Sequence, residues 1–267
     1  MADYRNSYEH LRRTDEGPVT TVSLARPDSR NALNAPLIEE LTACFEEVSD
    51  DERARVVVLT GEGRSFCAGA DIGYMRDTAN LSYEKNLEDA RRLAAMFRAL
   101  DECPKPVVAK VRGAAMGGGA GLVAASDIVV AAEGARFAFS EVRLGIAPAT
   151  IAPFVVRKIG YSHARSLFLS GERFGAERAR EIGLVHEVVA EDALNSAVSG
   201  KVDGLLAGGP YAQAAIKMLL REIETVEPMD ALALMSPLIS ELRTGVEGQE
   251  GLGAFLEKRE PRWRENP

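Results

Sequence analysis

Cysteine and histidine are scarce in this sequence, since its 267 residues include three of each. They are Cys44, Cys67, Cys103, His10, His163 and His186. Neither set has the spacing of a metal motif, and an odd number of cysteines without a Cys-x-x-Cys pair argues against a disulfide framework. The Gly-x-Ser-x-Gly element of serine hydrolases is also absent. The sequence therefore predicts reduced thiols, no metal site and no acyl transfer through a Ser–His–Asp triad.

Basic charge and long apolar runs are lacking as well. The formal net charge is −8, and the lysines and arginines are scattered among acids, so nucleic acid is not an expected partner. No apolar run approaches the roughly 18 residues that cross a bilayer. Residues 1–5 do not follow the basic-then-apolar plan of a signal peptide. We therefore expect a cytoplasmic protein with no membrane partner.

What the sequence does contain is an alternation of strand and helix patterns. Runs rich in β-branched residues predict strands at Val19 to Leu24, Arg55 to Thr60 and Asp127 to Ala132. Amphipathic segments between them predict helices, and beyond residue 190 every segment is helical in character. Parallel strands need helical crossovers, so an α/β fold is expected. We predict an α/β core over residues 1–190 and a helical region over residues 191–267 that packs on the core or on a neighbouring subunit.

The most informative stretch is rich in glycine and runs from Gly113 to Leu122. It follows an apolar strand-like segment and leads into a helix, an arrangement that presents free N–H groups to an anion. It also contains the pattern Gly-x-Gly-x-x-Ala from Gly119 to Ala124, with Glu141 about 20 residues further on, as in nicotinamide-binding folds. Alternatively, these glycines only permit close packing of a strand on a helix. The pattern alone leaves both interpretations open.

A second small-residue loop, Phe66 to Ile72, follows an earlier buried strand. Two loops of this kind can each direct a backbone N–H group at one point. Such a pair forms an oxyanion hole, which stabilises negative charge that develops on a carbonyl oxygen. Small residues suit this role because the substrate must approach the main chain closely.

With these loops in view, the sequence resembles the enoyl-CoA hydratase/isomerase (crotonase) superfamily over nearly its whole length. The resemblance is carried by segments that occur in the family's order: Arg26-Pro27 with Asn31 to Asn34, Val56 to Gly63, Phe66 to Ile72, Gly113 to Gly121, Phe139 to Gly145, Ala179 with Ile182 to Val189, and Phe255 to Pro261. It implies a crotonase-like fold of repeated ββα units, with a C-terminal helical region used in assembly into a homo-trimer or a hexamer made of two trimers. The implied ligand is an acyl-CoA thioester, so coenzyme A is part of the substrate and no cofactor is needed.

The resemblance also implies roles for individual residues. The N–H groups of Ala70 and Gly118 would form the oxyanion hole. The acyl-CoA would lie along Arg26, Ala32, Ala68, Asp71, Ile72 and Gly117. Phe255 and Lys258 would reach the coenzyme A moiety at a subunit boundary, with the lysine meeting phosphate.

The carboxylates decide which reaction is expected. Well-known hydratases of the family carry two glutamates; the second matches Glu141, whereas Gly121 stands at the position of the first. We expect an enoyl-CoA hydratase that uses Glu141 as acid and base. A Δ3,Δ2-enoyl-CoA isomerase with Glu141 as its single proton shuttle, or a catalytically silent acyl-CoA-binding homologue, remains an alternative. The run from Ser140 to Val156 further resembles methylglutaconyl-CoA hydratases of leucine catabolism, whose distal carboxylate would call for Arg143 or Arg157.

Overall fold

The computed structural model describes residues 3–4, 8–224 and 226–265. Its strands are β1 (Asp3–Tyr4), β2 (Leu11–Glu16), β3 (Val19–Leu24), β4 (Val56–Gly61), β5 (Val107–Val111), β6 (Ala114–Met116), β7 (Ile128–Ala132), β8 (Arg136–Ala138), β9 (Arg173–Gly175) and β10 (Glu187–Val189). Its helices are α1 (Ala35–Asp50), α2 (Ile72–Ala79), α3 (Tyr83–Glu102), α4 (Gly118–Ala125), α5 (Ala152–Ser170), α6 (Ala176–Glu181), α7 (Leu194–Leu206), α8 (Pro210–Ile223), α9 (Pro228–Thr244), α10 (Val246–Glu257) and α11 (Arg262–Glu265). Short 3₁₀ turns lie at Pro27–Ser29, Glu141–Leu144 and Glu191–Ala193.

A seven-stranded sheet forms the centre of the fold, in the order β1-β2-β3-β4-β5-β7-β10. Strands β3, β4, β5, β7 and β10 run parallel, while β1 and β2 pair antiparallel at one edge. Because the strands β4 and β5 are parallel neighbours, their carboxyl ends lie at one edge of the sheet. The loops that follow them therefore start side by side.

A second, three-stranded sheet stands beyond that edge, with β8 between β6 and β9. Strand β6 pairs parallel with β8, and Ala115 lies opposite Phe137. Phe137 stacks on Phe174 at 5.8 Å between ring centroids, and Phe139 meets Phe168 edge-on at 5.3 Å. These aromatic contacts fix the end of β8, from which the chain enters the Glu141–Leu144 turn.

Helices cover both faces of the large sheet. The main core lies among α1, α3, α4 and α5, whereas α7 covers the opposite face with Leu194, Val198 and Val202 against Val56 and Val108. Burial on both faces explains why β4 reads as a continuous apolar run. The α/β class predicted from the sequence is confirmed.

Helix α5 is interrupted at Gly160, where the backbone adopts φ 75° and ψ 158° and the two helical pieces meet at a kink. The sequence predicts this interruption, because Gly160 separates two apolar helical segments.

Helix α8 attaches to the core through polar contacts, in contrast to the apolar packing of α7. The Lys217 Nζ donates to the Asp127 carboxylate at 2.7 Å, and Arg221 donates to the carbonyl oxygen of Asp101 at 3.0 Å. Large apolar side chains remain exposed on α8 to α10, Phe255 among them at 81%. The division at residue 190 and the role of these helices in assembly stay predictions.

Among the described residues, no helix combines the length and the apolar character that a bilayer crossing requires.

Candidate active site

The two small-residue loops are joined to each other by a parallel β-bridge between Cys67 and Ala115. The Cys67 N–H donates to the carbonyl oxygen of Ala114, and the Met116 N–H donates to that of Cys67, both at 2.9 Å. From this bridge the two chains run in the same direction. Ala70 and Gly118 each lie three residues beyond the bridged pair. Beyond the bridge the two segments stay in contact, since a Cβ atom on Gly69 would lie 3.0 Å from Met116 O.

On its other side, the Ala70 loop pairs with the segment around Leu33. The Leu33 N–H donates to Gly69 O at 2.7 Å, and the Asp71 N–H donates to Leu33 O at 2.8 Å. In such a ladder the residue between the two bonded positions turns its N–H the other way. Within the described part of the chain, the Ala70 N–H donates no backbone hydrogen bond. It is therefore free for a ligand.

The second free donor is the N–H of Gly118, the first residue of α4. The first N–H groups of a helix have no intrahelical acceptor, and the helix dipole makes this end partially positive. No backbone acceptor for the Gly118 N–H occurs in the described ranges. Gly117 enters the helix at φ +49°, a conformation that favours glycine. Thus the start of α4 supplies a second donor. It lies close to the Ala70 loop, since a Cβ atom on Gly118 would stand 2.7 Å from Cδ1 of Leu33, the residue bridged to Ala70.

Glu141 opens the 3₁₀ turn that follows β8 and lies against the same helix start. A Cβ atom added to Gly117 would stand 3.2 Å from Glu141 Oε1, so glycine gives the carboxyl group its room. The other oxygen, Oε2, is buried without a hydrogen-bond partner among the described residues. Burial raises the pKa of Glu141 above its ordinary value. A carboxylate with a raised pKa suits a group that must both accept and return a proton.

Gly121 lies one helical turn further along α4, and its N–H donates to Gly117 O at 3.0 Å. A Cβ atom here would lie 2.3 Å from Ile151 Cγ2 and 3.0 Å from Phe97 Cε1. At Gly119 it would lie 2.5 Å from the carbonyl oxygen of Cys67. Both glycines thus stand inside a helix and permit close packing. Their Gly-x-Gly-x-x-Ala register is explained by this packing, which leaves the nicotinamide interpretation without structural support.

Arg26 and Asp71 clamp the outer side of the Ala70 loop. The Arg26 guanidinium donates to Asp71 Oδ2 at 3.1 Å and also to the carbonyl oxygen of Ala32. Asp71 caps α2 by accepting from the Gly73 N–H at 2.8 Å. Partial burial raises the pKa of Asp71, but the hydrogen bonds from Arg26 and from the α2 backbone outweigh it and hold the pKa below its ordinary value. Arg26 therefore has a structural task, namely to position this loop.

Comparisons with known proteins agree with this geometry. The family model described as enoyl-CoA hydratase/isomerase matches residues 14–266. This chain belongs to the enoyl-CoA hydratase/isomerase family. Relatives from Escherichia coli include a 2,3-dehydroadipyl-CoA hydratase, 36% identical over 91% of this chain and 94% of the relative, and a 1,2-epoxyphenylacetyl-CoA isomerase, 30% identical over 93% and 95%. The solved structure of an enoyl-CoA hydratase from Shewanella pealeana superposes with a TM-score of 0.93 and 39% identity, covering 96% of this chain and 97% of that one.

The predicted crotonase-like fold is confirmed by this likeness. The structure brings most of the predicted site residues of this family member into one region, through the contacts given above. They are Arg26, Ala32, Ala68, Ala70, Asp71, Ile72, Gly117, Gly118 and Glu141. Ala68 donates its N–H to Arg30 O at 3.0 Å, and Ile72 begins α2 with 73% of its side chain exposed.

Phe255 and Lys258 lie elsewhere in the chain of this family member. Phe255 is on α10, and Lys258 ends that helix in a left-handed conformation with φ 55°. No contact between either residue and the Glu141 turn is found among the described residues. Their approach to the acyl-CoA of a neighbouring subunit stays a prediction.

Of the two arginines considered for a distal carboxylate, Arg157 is already engaged, because it pairs with Asp101 and lies 3.8 Å from Glu224. Arg143 lies on the same 3₁₀ turn as Glu141 and is exposed. Arg143 is therefore the better placed of the two.

Two residues that the sequence analysis does not single out help to shape the site. Phe97 and Ile151 are both buried and contact the first turn of α4. Phe97 belongs to the apolar stripe of α3, and that pattern predicts a core position without saying what the ring touches. For Ile151 no sequence signal names Gly121 as its neighbour.

Proposed function

We propose that this protein is an enoyl-CoA hydratase that adds water across the C2=C3 double bond of a 2-enoyl-CoA. The observation that carries the proposal is the position of the Glu141 carboxyl group beside Gly117, at the start of the helix whose first free N–H belongs to Gly118. A thioester oxygen at this helix start lies next to a group that can move a proton.

The N–H groups of Ala70 and Gly118 would bind the thioester oxygen. During addition, negative charge moves from C3 towards this oxygen and forms an enolate, so hydrogen bonds to it strengthen in the transition state. Removal of one such donor in other enzymes costs about a hundred- to a thousand-fold in rate. Two backbone donors, one in the Ala70 loop and one at a helix start, would provide this stabilisation without rearrangement.

Glu141 would perform both proton steps. Its carboxylate takes a proton from water as the water oxygen forms a bond to C3, and the π electrons move onto the thioester. The protonated Glu141 carboxyl group then gives this proton to C2 of the enolate, which restores the thioester carbonyl and the ionised carboxylate. The net change is the addition of one water across C2 and C3. The raised pKa of Glu141 supports this dual use.

A second candidate is a Δ3,Δ2-enoyl-CoA isomerase. The observation that favours it is the closed packing of Ile151 and Phe97 at Gly121, so that Glu141 is the carboxylate found against the first turn of α4 among the described residues. One carboxylate can move a proton from C4 to C2 without water. A relative that is named an isomerase is 30% identical to this chain, compared with 36% for the 2,3-dehydroadipyl-CoA hydratase.

At a finer level, we infer methylglutaconyl-CoA as the substrate, with Arg143 facing its distal carboxylate, and a place in leucine catabolism. We also infer a cytoplasmic homo-trimer or hexamer in which Phe255 and Lys258 contact the coenzyme A moiety across a subunit boundary. Exposed apolar residues on α8 to α10, such as Leu220 and Phe255, support association with other copies.

Product analysis tests these proposals. The enzyme is incubated with crotonyl-CoA, methylglutaconyl-CoA and a trans-3-enoyl-CoA, and the acyl-CoA products are separated. A 3-hydroxyacyl product supports the hydratase; a 2-enoyl product without any 3-hydroxy product supports the isomerase. If crotonyl-CoA were a much better substrate than methylglutaconyl-CoA, the methylglutaconyl-CoA assignment would be excluded. Unchanged turnover of every substrate by Glu141→Gln would exclude Glu141 as the acid and base. A wild type that turns over none of them would instead be a catalytically silent acyl-CoA-binding homologue.

A further inference from the structure

The first turn of α4 carries an apolar wall that the proposed reaction does not use. A Cβ atom at Gly118 would lie 2.7 Å from Leu33 Cδ1 and 3.9 Å from Phe97 Cζ, and one at Gly121 would meet Ile151 and Phe97. Phe97 therefore spans both positions, and Ile151 extends the wall by one turn. Ile151 and Phe97 are 1% and 0% exposed, so this wall is tightly packed.

The Gly121 end of the wall lies four residues along the chain from Gly117, about 6 Å along the helix axis from the level of Glu141. Gly117, whose Cβ position faces Glu141, accepts the helical hydrogen bond from Gly121 at 3.0 Å. A side chain at position 121 would therefore start one turn beyond the position that faces the Glu141 carboxyl group. Ile151 occupies that volume, and neither the isoleucine nor the phenylalanine side chain can donate or accept a hydrogen bond.

This composition matters for water. An ordered water in a protein interior needs about two to four polar partners, and an apolar space stays dry even when it is large enough. At the level of Gly121 the side chains of the wall offer none. A water that attacks C3 must then be held by Glu141 without help from this side, whereas proton transfer within the acyl chain needs no water.

We propose that Ile151 is a specificity-determining residue, which together with Phe97 keeps the Gly121 side of the site dry and so sets the ratio of water addition to proton transfer within the acyl chain. The proposal rests on the proposed function, because it concerns the partition between two reactions of one acyl-CoA site. Residue 151 acts by the polarity of its side chain as well as by its size.

Two matched pairs of variants separate polarity from size. Ile151→Thr and Ile151→Val have nearly the same shape, and Ile151→Ser and Ile151→Ala form a smaller pair; within each pair only a hydroxyl group differs. The measured quantity is the ratio of kcat/KM for hydration of crotonyl-CoA to kcat/KM for isomerisation of a trans-3-enoyl-CoA. We expect the hydroxyl variant of each pair to have a ratio about three- to ten-fold higher, the effect of one added hydrogen bond to water.

If Ile151→Thr does not fold, the comparison of Ile151→Ser with Ile151→Ala still tests the inference. A thermal unfolding curve shows whether each variant is folded. Equal ratios within a folded pair, together with an active wild type, would overturn the inference and leave the proposed function intact. A wild type that catalyses neither reaction would overturn both. A wild type that isomerises but does not hydrate would overturn the hydratase proposal alone, and the inference then requires hydration to appear in the hydroxyl variants.

Discussion

The two ends of the first turn of α4 are built from the same residue and serve opposite purposes. At Gly117 the missing side chain leaves room for a carboxyl group, and Glu141 approaches with one oxygen unpartnered among the described residues. At Gly121 the missing side chain leaves room for Ile151 and Phe97, which pack against the backbone. The Gly117 level is therefore polar, and the Gly121 level is apolar and closely packed. The difference lies in the neighbouring segment, since glycine itself is common to both.

Glycines of one glycine-rich stretch can therefore have different functions. The polar level of the turn carries an energetic cost, because one oxygen of the Glu141 carboxylate is buried without a hydrogen-bond partner among the described residues. The apolar level contributes packing energy and fixes the helix start on which the Gly118 donor depends. A rigid, well-packed level next to a strained polar one is a common arrangement for catalytic groups.

The largest effect is expected from removal of the acid at the polar level. Glu141→Gln keeps the size of the side chain but cannot exchange a proton, so kcat for the enoyl-CoA substrate should fall by about a hundred- to ten-thousand-fold. Steady-state kinetics measures the loss. Glu172→Gln, at an exposed position, is the matched control and should retain wild-type rates. A loss of less than ten-fold in the Glu141 variant would contradict the assigned role.

A methyl group added at Gly121 tests whether the apolar level is closely packed. Gly121→Ala should lower the free energy of unfolding by about 1–3 kcal/mol, because its Cβ would overlap Ile151. Gly134→Ala is the control, since a Cβ there meets nothing within 4 Å. Urea denaturation gives both values. In the Gly121→Ala/Ile151→Ala double variant the losses should be less than additive; strictly additive losses would show that the two residues do not compete for space.

A methyl group at the polar level should instead affect catalysis. Gly117→Ala forces φ +49° on an alanine and brings its Cβ to 3.2 Å from Glu141 Oε1. We expect a loss of about 1–2 kcal/mol in stability from the backbone and an approximately ten-fold lower kcat from displacement of the carboxyl group. Gly17→Ala, at φ +57° in open space, shares the backbone strain alone. Equal kinetics in the two variants would rule out a role for Gly117 in seating Glu141.

The smallest effect concerns stability and pH. Burial raises the pKa of Glu141, so its ionised form destabilises the folded state. Below the ordinary pKa of 4.5 the carboxyl group is protonated, and this destabilisation is absent. The free energy of unfolding then falls as the pH rises through the pKa of Glu141 in the folded state. Glu141→Gln should therefore be more stable than wild type at neutral pH, by about 1 kcal/mol, and the advantage should vanish in acid. Melting temperatures measured from pH 4 to pH 8 test this; a difference that does not change with pH would contradict it.

Much of this arrangement can be predicted from the sequence, for identifiable reasons. Runs of β-branched residues predict strands at Val19 to Leu24 and Arg55 to Thr60. The structure has these strands at Val19–Leu24 and Val56–Gly61. The two small-residue loops are recognisable because each follows a buried strand. The bridge between Cys67 and Ala115 then gives the register that the sequence could only suggest.

Other features depend on contacts between distant segments. Strand β6 lies inside the glycine-rich stretch, where alanine and glycine have low strand propensity, and forms because Ala115 pairs with both Cys67 and Phe137. The polar strand β2 is not predicted either. It contains Arg13, which is fully buried and is neutralised by its ion pairs, among them one with Asp51 at 2.7 Å. Such compensation is visible only in three dimensions.

The packing at Gly121 also constrains how this protein can evolve. A second carboxylate gained at that position by one substitution would meet Ile151 and Phe97, which already occupy its space. An earlier change of residue 151 to a smaller one removes the overlap, at a cost of about 2–5 kcal/mol for isoleucine to alanine. Either order of the two substitutions therefore passes through a less stable protein, and only a simultaneous change avoids it.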